Sequence, residues 1–498
     1  MNSFMGIETA KRGLAANQVA LNIVGNNIAN ISTEGYTRQR VDTVSMAVSG
    51  HNSRYAPNQA SLAGQGVMVN GIGQVRDPFL DKRYRDEAAD VGYYEKAYEI
   101  MSDIEPALDE YSSSGLKDAL AGLSDALNDL SRNADQTVNA NIVLTAAKNI
   151  VQVLNNLDAK LDDVREQQIY GLQVDIDEVD GMLKRIADLN KAINQEIFAS
   201  SVNANVKNYG PNELLDERNL LIDKLAKYAD INVNSNADGS VIILVNGQVA
   251  VDGTDYKTIN LVRNADNTVS VTWMETGEAL KLDSGSLKAS LAMINGRGPD
   301  ASGVNETYDK GVPYFKDILN SFASNLVSEF NHVLQIAPKP GDTKIEYKKL
   351  FSSGGENIVT AGNIEISDEW IKDPAYIIDG YLATDGSFDN TFVLAALSIF
   401  DKTLNFKGIS GTFEEYVNFY NTSEVGQQVL FFKGRYETAS TVSEDLLDRR
   451  DAVSAVSLDE EGANLMQYQK AYNAMARLMT ALDEALDVLI NRTGLVGR

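Results

Sequence analysis

The chain has 498 residues, 44% of them hydrophobic, a formal charge of −26 and no cysteine. That length and apolar content predict two to four folded domains, and the acidic balance argues against nucleic acid or an anionic membrane surface as partner. Without thiols there are no disulfides, thiolate metal sites or thiol nucleophiles, and no apolar run approaches the ~20 residues that a spanning helix needs, so no membrane insertion is expected.

The first predicted element is a helix over 4–31. On a heptad its positions are Phe4, Ile7, Ala10, Leu14, Asn17, Leu21, Val24, Ile28 and Ile31, all apolar but one. Asn and Gln interrupt the stretch after Lys11 and Arg12, so it does not read as a secretory signal. Asn22, Asn26, Asn27 and Asn30 crowd its end, although asparagine is a poor helix interior residue because its amide competes for the backbone. Such a helix needs support from outside itself. Asn22, Asn26 and Asn30 lie four apart, and this polar stripe is expected to face neighbouring subunits. The sequence Ser-Thr-Glu-Gly at 32–35 then predicts a turn, and a basic, aromatic strand follows.

No proline occurs between Pro106 and Pro211. Within that window Ile150, Leu154, Leu157, Leu161 and Val164, then Leu172, Ile176, Val179, Leu183 and Ile186 after a phase slip near Gly171, predict one or two bundle helices. From 231 the rhythm becomes alternation, with Asp-Gly and Asn-Gly hairpin signals. Helical patterning returns at 312–335, a loop-rich stretch with strands runs from 336 to 390, and the apolar run at 391–400 reads as a buried helix. The last element has an unbroken seam: Leu465, Tyr468, Tyr472, Met475, Met479, Leu482, Leu486 and Leu489. A capping box at Ser457 and Glu460, with Asp459 and Glu461 beside the positive helix end, marks its start; Arg492 and Gly494 mark its exit.

The two terminal helices, about 42 and 37 Å long at 1.5 Å per residue, are expected to pair antiparallel. The fold class is therefore mainly α with inserted β, in nested discontinuous domains. Residues 1–65 with 455–498 form a terminal coiled-coil helix pair. Residues 66–230 with 284–454 form a helical-bundle domain drawn from both halves of the chain, and 231–283 form a small inserted β-rich domain. Residues 1–40 carry four bases and two acids and residues 455–498 four bases and six acids, so the ends roughly neutralise one another and the acidity lies between them.

Raw material for chemistry is scarce. His51 and His332 are the only histidines, and neither sits in a metal-ligand or triad pattern. The fragment GQGVMV at 64–69 lacks the third glycine of a dinucleotide loop. NSNADG at 234–239 imitates half a calcium loop, but Val245 stands where a bidentate glutamate belongs, so it reads as a hairpin turn. Acid pairs such as Asp162 with Asp163 read as a solvated face, and the sequons at Asn30, Asn305 and Asn421 as chance. No catalytic residues, metal site or cofactor are assigned.

The stretch GLAANQVALNIVGNNIANISTEGYTRQR resembles the N-terminal signature of the bacterial flagellar rod, hook and hook-associated proteins, and SLDEEGANLMQYQKAYNAMARLMTALDEALDVLINRTG resembles its C-terminal counterpart. QVRDPFLDKRYRDEAADVGYYE at 74–95 and NELLDERNLLIDKLAKY at 212–228 are most similar to the hook-filament junction members. The resemblance implies a non-enzymatic subunit of an extracellular helical ring between hook and filament, a homo-oligomer next to the hook protein and a second junction protein. It implies export of the unfolded chain through the flagellar export apparatus without a cleaved signal. An export chaperone would bind the C-terminal helix between Leu465 and Leu489, as an amphipathic helix in a groove. The matched assembly positions are Ile7, Leu14, Leu21, Asn22, Val24, Asn26, Asn27, Ile28, Asn30, Gly35 and Tyr36 at the front, and the eight seam residues at the back. A hook, distal-rod or second junction subunit is the alternative within the family. A secreted adhesin or a rod-associated hydrolase is the alternative from a different class.

Overall fold

The computed structural model describes residues 2–46, 66–108, 115–133, 137–200, 211–236, 238–299, 309–334, 347–378, 390–419 and 424–492. His51, Asn305, Asn421 and Gly494 lie outside the described residues. Helix α1 (Asn2–Ala29) ends before a turn in which Gly35 takes a φ of 78°. It stops two residues short of the expected seam, which leaves Ile31 exposed in the turn. Strands β1 (Gln39–Ser45) and β2 (Val67–Gln74) pair antiparallel with a bulge at Asp42/Thr43. Helix α2 (Pro78–Ala107) begins where Asp77 accepts a bond from the Phe79 amide and Pro78 supplies a ready-made φ. Then come α3 (Leu116–Arg132), α4 (Thr137–Ser200) and α5 (Asn212–Leu225).

Strands β3 (Ile231–Ser235), β4 (Val241–Val245), β5 (Gln248–Asp252) and β6 (Asp255–Tyr256) form an antiparallel sheet in sequence order; β7 (Ile259–Arg263) and β8 (Val269–Trp273) form a second hairpin. Asn246 and Gly247 between β4 and β5 both have positive φ, the geometry that an Asn-Gly hairpin turn requires. Asn234 and Ser235 of the NSNADG segment end β3, and before β4 Asp238 Oδ1 accepts bonds from the Ser240 amide and hydroxyl. The remainder is α6 (Ser286–Asn295), α7 (Val312–Val333), the short pair β9 (Phe351–Ser352) and β10 (Glu365–Ile366), α8 (Asp368–Lys372), a 3₁₀ turn at Pro374–Ile377, α9 (Thr391–Ser398), the hairpin β11 (Leu404–Phe406) and β12 (Ile409–Gly411), α10 (Phe413–Asn418), α11 (Gly426–Ser454) and α12 (Leu458–Asp487), the last followed by a π-helical turn.

Two hydrophobic cores result. The first joins α2, α3 and the first half of α4 to α7 and to residues 350–432. A group of aromatic rings packs within it: Phe406 stacks on Tyr416 at 4.3 Å and meets Phe413 edge-on at 5.3 Å, while Phe351 touches both Phe330 and Trp370. The second core joins β3, β4, β5, β7 and β8 to the second half of α4, to α5 and to α6.

Helix α4 serves both cores as one continuous rod of 64 residues, about 96 Å long. Leu154, Leu157 and Leu161 lie in the first core, Leu172, Ile176 and Leu183 in the second. Between them, buried Arg165 donates to the carbonyls of Ile294 and Asn267, and buried Gln168 donates to Asp103. The phase slip in the apolar pattern near Gly171 is thus a change of core, not a break in the helix. The apolar face rotates because the second set of partners lies in a new direction.

Helices α2 and α11 pack antiparallel: Arg450 lies 4.4 Å over the Tyr84 ring, and farther along Tyr436 donates to Glu95 at 3.5 Å. The turn after α5 presses against α2 at Gly92. A Cβ on Gly92 would stand 1.9 Å from the Lys227 carbonyl oxygen, so no larger residue fits there without moving backbone.

Candidate functional site

Helices α1 and α12 bring the two ends of the chain together. A Cβ on Gly6 would lie 3.2 Å from Leu482 Cδ1, and one on Gly13 would lie 3.1 Å from Met475 Sδ. Asn27 Nδ2 donates to Glu461 Oε2 at 3.2 Å. Seven residues up α1 match seven down α12, and the next fourteen match fourteen, so the helices run antiparallel in a single register.

The buried line on α1 is Ala10, Gly13, Ala16, Ala20, Val24 and Asn27. Small residues let the helix backbone approach its neighbours, and this rotates the larger heptad residues Ile7, Leu14, Leu21 and Ile28 into half-buried positions. On α12 the one buried residue is Glu461. Tyr468, Tyr472, Met475, Met479, Leu482 and Leu486 are half-buried, while Leu465 and Leu489 are 39% and 53% exposed. Met466, Leu478, Val488 and Ile490 are exposed as well. A single α1 therefore does not cover the apolar surface of α12.

The asparagines divide between two fates. Asn22 remains on the surface and accepts a bond from Gln18. Asn26, expected to reach outward with it, donates to the Tyr36 hydroxyl at 3.4 Å, and Asn30 donates back to the Asn26 carbonyl and amide oxygens, both at 3.0 Å. At a helix end the free backbone groups and the following turn lie within reach, and the amides of Asn30 and Asn26 turn to them. Asn27 is buried and uses both ends of its amide. Its Nδ2 donates to the Gln39 carbonyl and to Glu461, and its Oδ1 accepts from the Gln39 amide at 3.0 Å and the Tyr36 hydroxyl at 2.9 Å. Burial, reinforced by the negative charge of Asp216, Glu213 and Glu461, pushes the Tyr36 phenol up to about 12, so it remains a donor.

Arg38 closes the arrangement. Its Nε bonds Glu461 Oε1 at 3.0 Å, its Nη1 bonds Glu460 at 2.6 Å, and its backbone amide donates to the Ser454 carbonyl. Of the expected capping box, the Ser457 hydroxyl does accept from the Glu460 amide, but the Glu460 carboxylate turns to Arg38, where it finds a charge-assisted partner.

Below the helix pair lies a neck. Asp216 on α5 accepts from the Thr37 amide at 3.1 Å and from Gln74 Nε2 at 2.7 Å, while its second carboxylate oxygen is buried without a partner. Burial pushes Asp216 up to about 6, against the Thr37 hydrogen bonds that favour its charged form. Asp223 receives Arg85 from α2 and Arg450 from α11, each at 2.7 Å. The end of the motif stretch at 13–40 and the stretches at 74–95 and 212–228 thus converge with the end of α11 in one place. They surround a cleft of about 530 Å³ between the 31–37 turn, α5 and α11.

Sequence reasoning did not find Asp216, Asp223, Arg38 or Arg450, and it assigned Glu461 only to the helix dipole. One signal was present for Glu461: continuing the α12 seam back four residues from Leu465 lands on it. Elsewhere His332 is exposed, with Nδ1 2.6 Å from the Ser328 carbonyl, and Asp162 pairs with Lys316 at 2.7 Å. Among the described residues no group of three or more acidic or histidine side chains is placed to hold a metal, and no helix is long and apolar enough to cross a membrane.

Three family profiles match the chain. "Flagella basal body rod protein" covers 7–37, "Flagellar hook-associated protein FlgK helical domain" covers 101–337, and "Flagellar basal body rod FlgEFG protein C-terminal" covers 451–492. The first and last coincide with α1 plus its turn and with α12. The chain is 31% identical to flagellar hook-associated protein 1 of Bacillus subtilis strain 168, over the whole of both chains. It is 25% identical to the protein of that name from Salmonella typhimurium, over 97% of this chain and 99% of that one. A solved structure titled as the flagellar hook junction protein FlgK from Burkholderia pseudomallei shares 17% identity at a TM-score of 0.45, covering 55% of this chain and 47% of its own.

Proposed function

The chain belongs to the flagellar hook-associated protein 1 family, and from that membership we propose that it polymerises at the hook-filament junction through its terminal helix pair. It is an extracellular structural component of the flagellum, not an enzyme, and it assembles there with the hook and the second junction protein. The observation that carries the polymerisation reading is the incomplete cover of α12. Its seam is half-buried on α1 while Leu465, Met466, Leu478, Leu489 and Ile490 stay exposed. In water such a surface favours association, and each such residue fully buried in a neighbour contributes roughly 1.5–3 kcal/mol.

Contacts on this surface run from one copy to the next in a head-to-tail sense. A heterologous contact of that kind propagates as an open helix or closes as a ring. Ile7, Leu14, Leu21, Asn22 and Ile28 on α1, with the α12 seam, are the assembly positions. Asn26, Asn27, Asn30, Gly35 and Tyr36 support them by fixing the turn beneath. Before assembly the same α12 surface, Leu465 to Leu489, is covered by an export chaperone as a helix in a groove, and the chain passes through the export apparatus unfolded.

Deleting the encoding gene in its own bacterium and imaging cells by electron microscopy tests this. Bare hooks with flagellin shed into the medium are expected. Absent hooks would move the chain down to the rod or hook, and normal filaments would overturn the assignment.

A further inference from the structure

The apolar contact between α1 and α12 does not by itself define how the helices are aligned. Gly6 and Gly13 stand seven residues apart and meet Leu482 and Met475, also seven apart. Sliding α12 by one heptad would set Gly13 against Leu482, again a glycine under a long flexible side chain. Ala10, Ala16 and Ala20 are equally undemanding neighbours, and unbranched chains such as Met475 adapt to whatever gap they meet. A seam of this kind is nearly degenerate on a seven-residue slide.

The polar cluster at the neck end has no such tolerance. Glu461 is 1% exposed, and its two oxygens are taken by Asn27 Nδ2 at 3.2 Å and Arg38 Nε at 3.0 Å. Asn27 is in turn held by the Gln39 backbone and Tyr36, which lie beyond the helix and do not repeat every seven residues. In the slid register Asn27 would face Tyr468, and Glu461 would have left both partners. A buried carboxylate without partners is strongly unfavourable.

We infer that Glu461, Asn27 and Arg38 form a register lock: together with the short Ala455–Ser457 link to α11, whose Ser454 carbonyl accepts from the Arg38 amide, they are positioning residues that select one alignment of the terminal helices out of a set that the apolar seam cannot distinguish. A single buried polar contact in an otherwise apolar helix pair is known to specify register at some expense of stability. The inference rests on the terminal pair being the unit that assembles. Its value there is uniformity, since every copy then offers the same spacing of exposed side chains to the next.

The absence of cysteine makes the test clean. In the full-length chain, Gly13→Cys with Met475→Cys reports the native register by disulfide formation. Gly13→Cys with Leu482→Cys reports the slid one, displaced by about 10 Å along the axis. With Glu461 intact, only the first pair should cross-link. Glu461→Leu should lower the native-to-slid ratio by roughly tenfold or more, the scale of losing even one of its two hydrogen bonds to a charged group. An unchanged ratio in Glu461→Leu overturns the lock while leaving the helix pair standing; failure of the native pair to cross-link with Glu461 intact overturns the pair itself. Should Glu461→Leu perturb folding, Asn27→Asp sets like charges against each other and should lower the same ratio, and adding Glu461→Gln should restore it. No restoration would also count against the lock.

Discussion

The first hydrophobic core and the terminal helix pair hold together by opposite means. The core is built from large rings at or near zero exposure, Phe322, Phe351, Phe406, Phe413 and Trp370 among them. The pair is built from glycines and alanines under flexible side chains, and its most deeply buried side chain on α12 is a carboxylate. The first arrangement is self-sufficient, because its large side chains are already buried within the chain. The second leaves much of its apolar area uncovered, so its stability is tied to whatever covers its outer face. A molecule that must stay soluble until it reaches its site and then join its neighbours needs both kinds.

Phe406→Ala should break the self-sufficient side with the largest effect. It removes a ring packed on Tyr416, Phe413 and Phe322, and a loss of about 3–5 kcal/mol should appear as a lower Tm of the whole chain by calorimetry. Gly92→Ala should cost about 1–3 kcal/mol by driving a methyl group into the Lys227 carbonyl, read as a lower urea midpoint at unchanged slope.

Asp216 offers a smaller, pH-dependent handle on the neck. Its folded value of about 6 lies above the ordinary 3.8. The folded state therefore holds the extra proton between those values, and the associated stability is present at acid pH and lost as pH rises through about 6. The Tm of the native protein relative to Asp216→Asn should accordingly improve as pH falls from 7 to 4; a constant difference would remove Asp216 from the account. Leu482→Asp should have the smallest effect on the body, within about 0.5 kcal/mol, yet abolish polymerisation and chaperone binding together. Normal chaperone affinity in that variant would separate the two surfaces.

The pattern of what sequence showed follows the same division. Helices α1 and α12 are legible because their heptads are long and their starts and stops are marked by caps and turns. The β4–β5 hairpin is legible because Asn246-Gly247 is a local instruction. The buried face of α1 was legible only in part: the heptad includes Ala10 and Val24, which are buried, but a heptad reading favours leucines, and Gly6, Gly13 and Ala20 are invisible to it. Nor was the partner of Asn27. Glu461 lies 434 residues away, and no periodicity links the two. The stretches at 74–95 and 212–228 stood out for their resemblance, but only the folded chain shows that Asp223 ties them to Arg450.

That 434-residue separation also sets the order of events in folding. Closing so long a loop from an open chain costs on the order of 5 kcal/mol in entropy, and contacts of such high sequence separation form late. Once α2 and α11 have docked, however, Ser454 at the end of α11 already accepts from the Arg38 amide, and only Ala455–Ser457 separate it from α12. The body then acts as a template that raises the effective concentration of one terminal helix near the other, so a contact between the first and last parts of the chain becomes, kinetically, a local one.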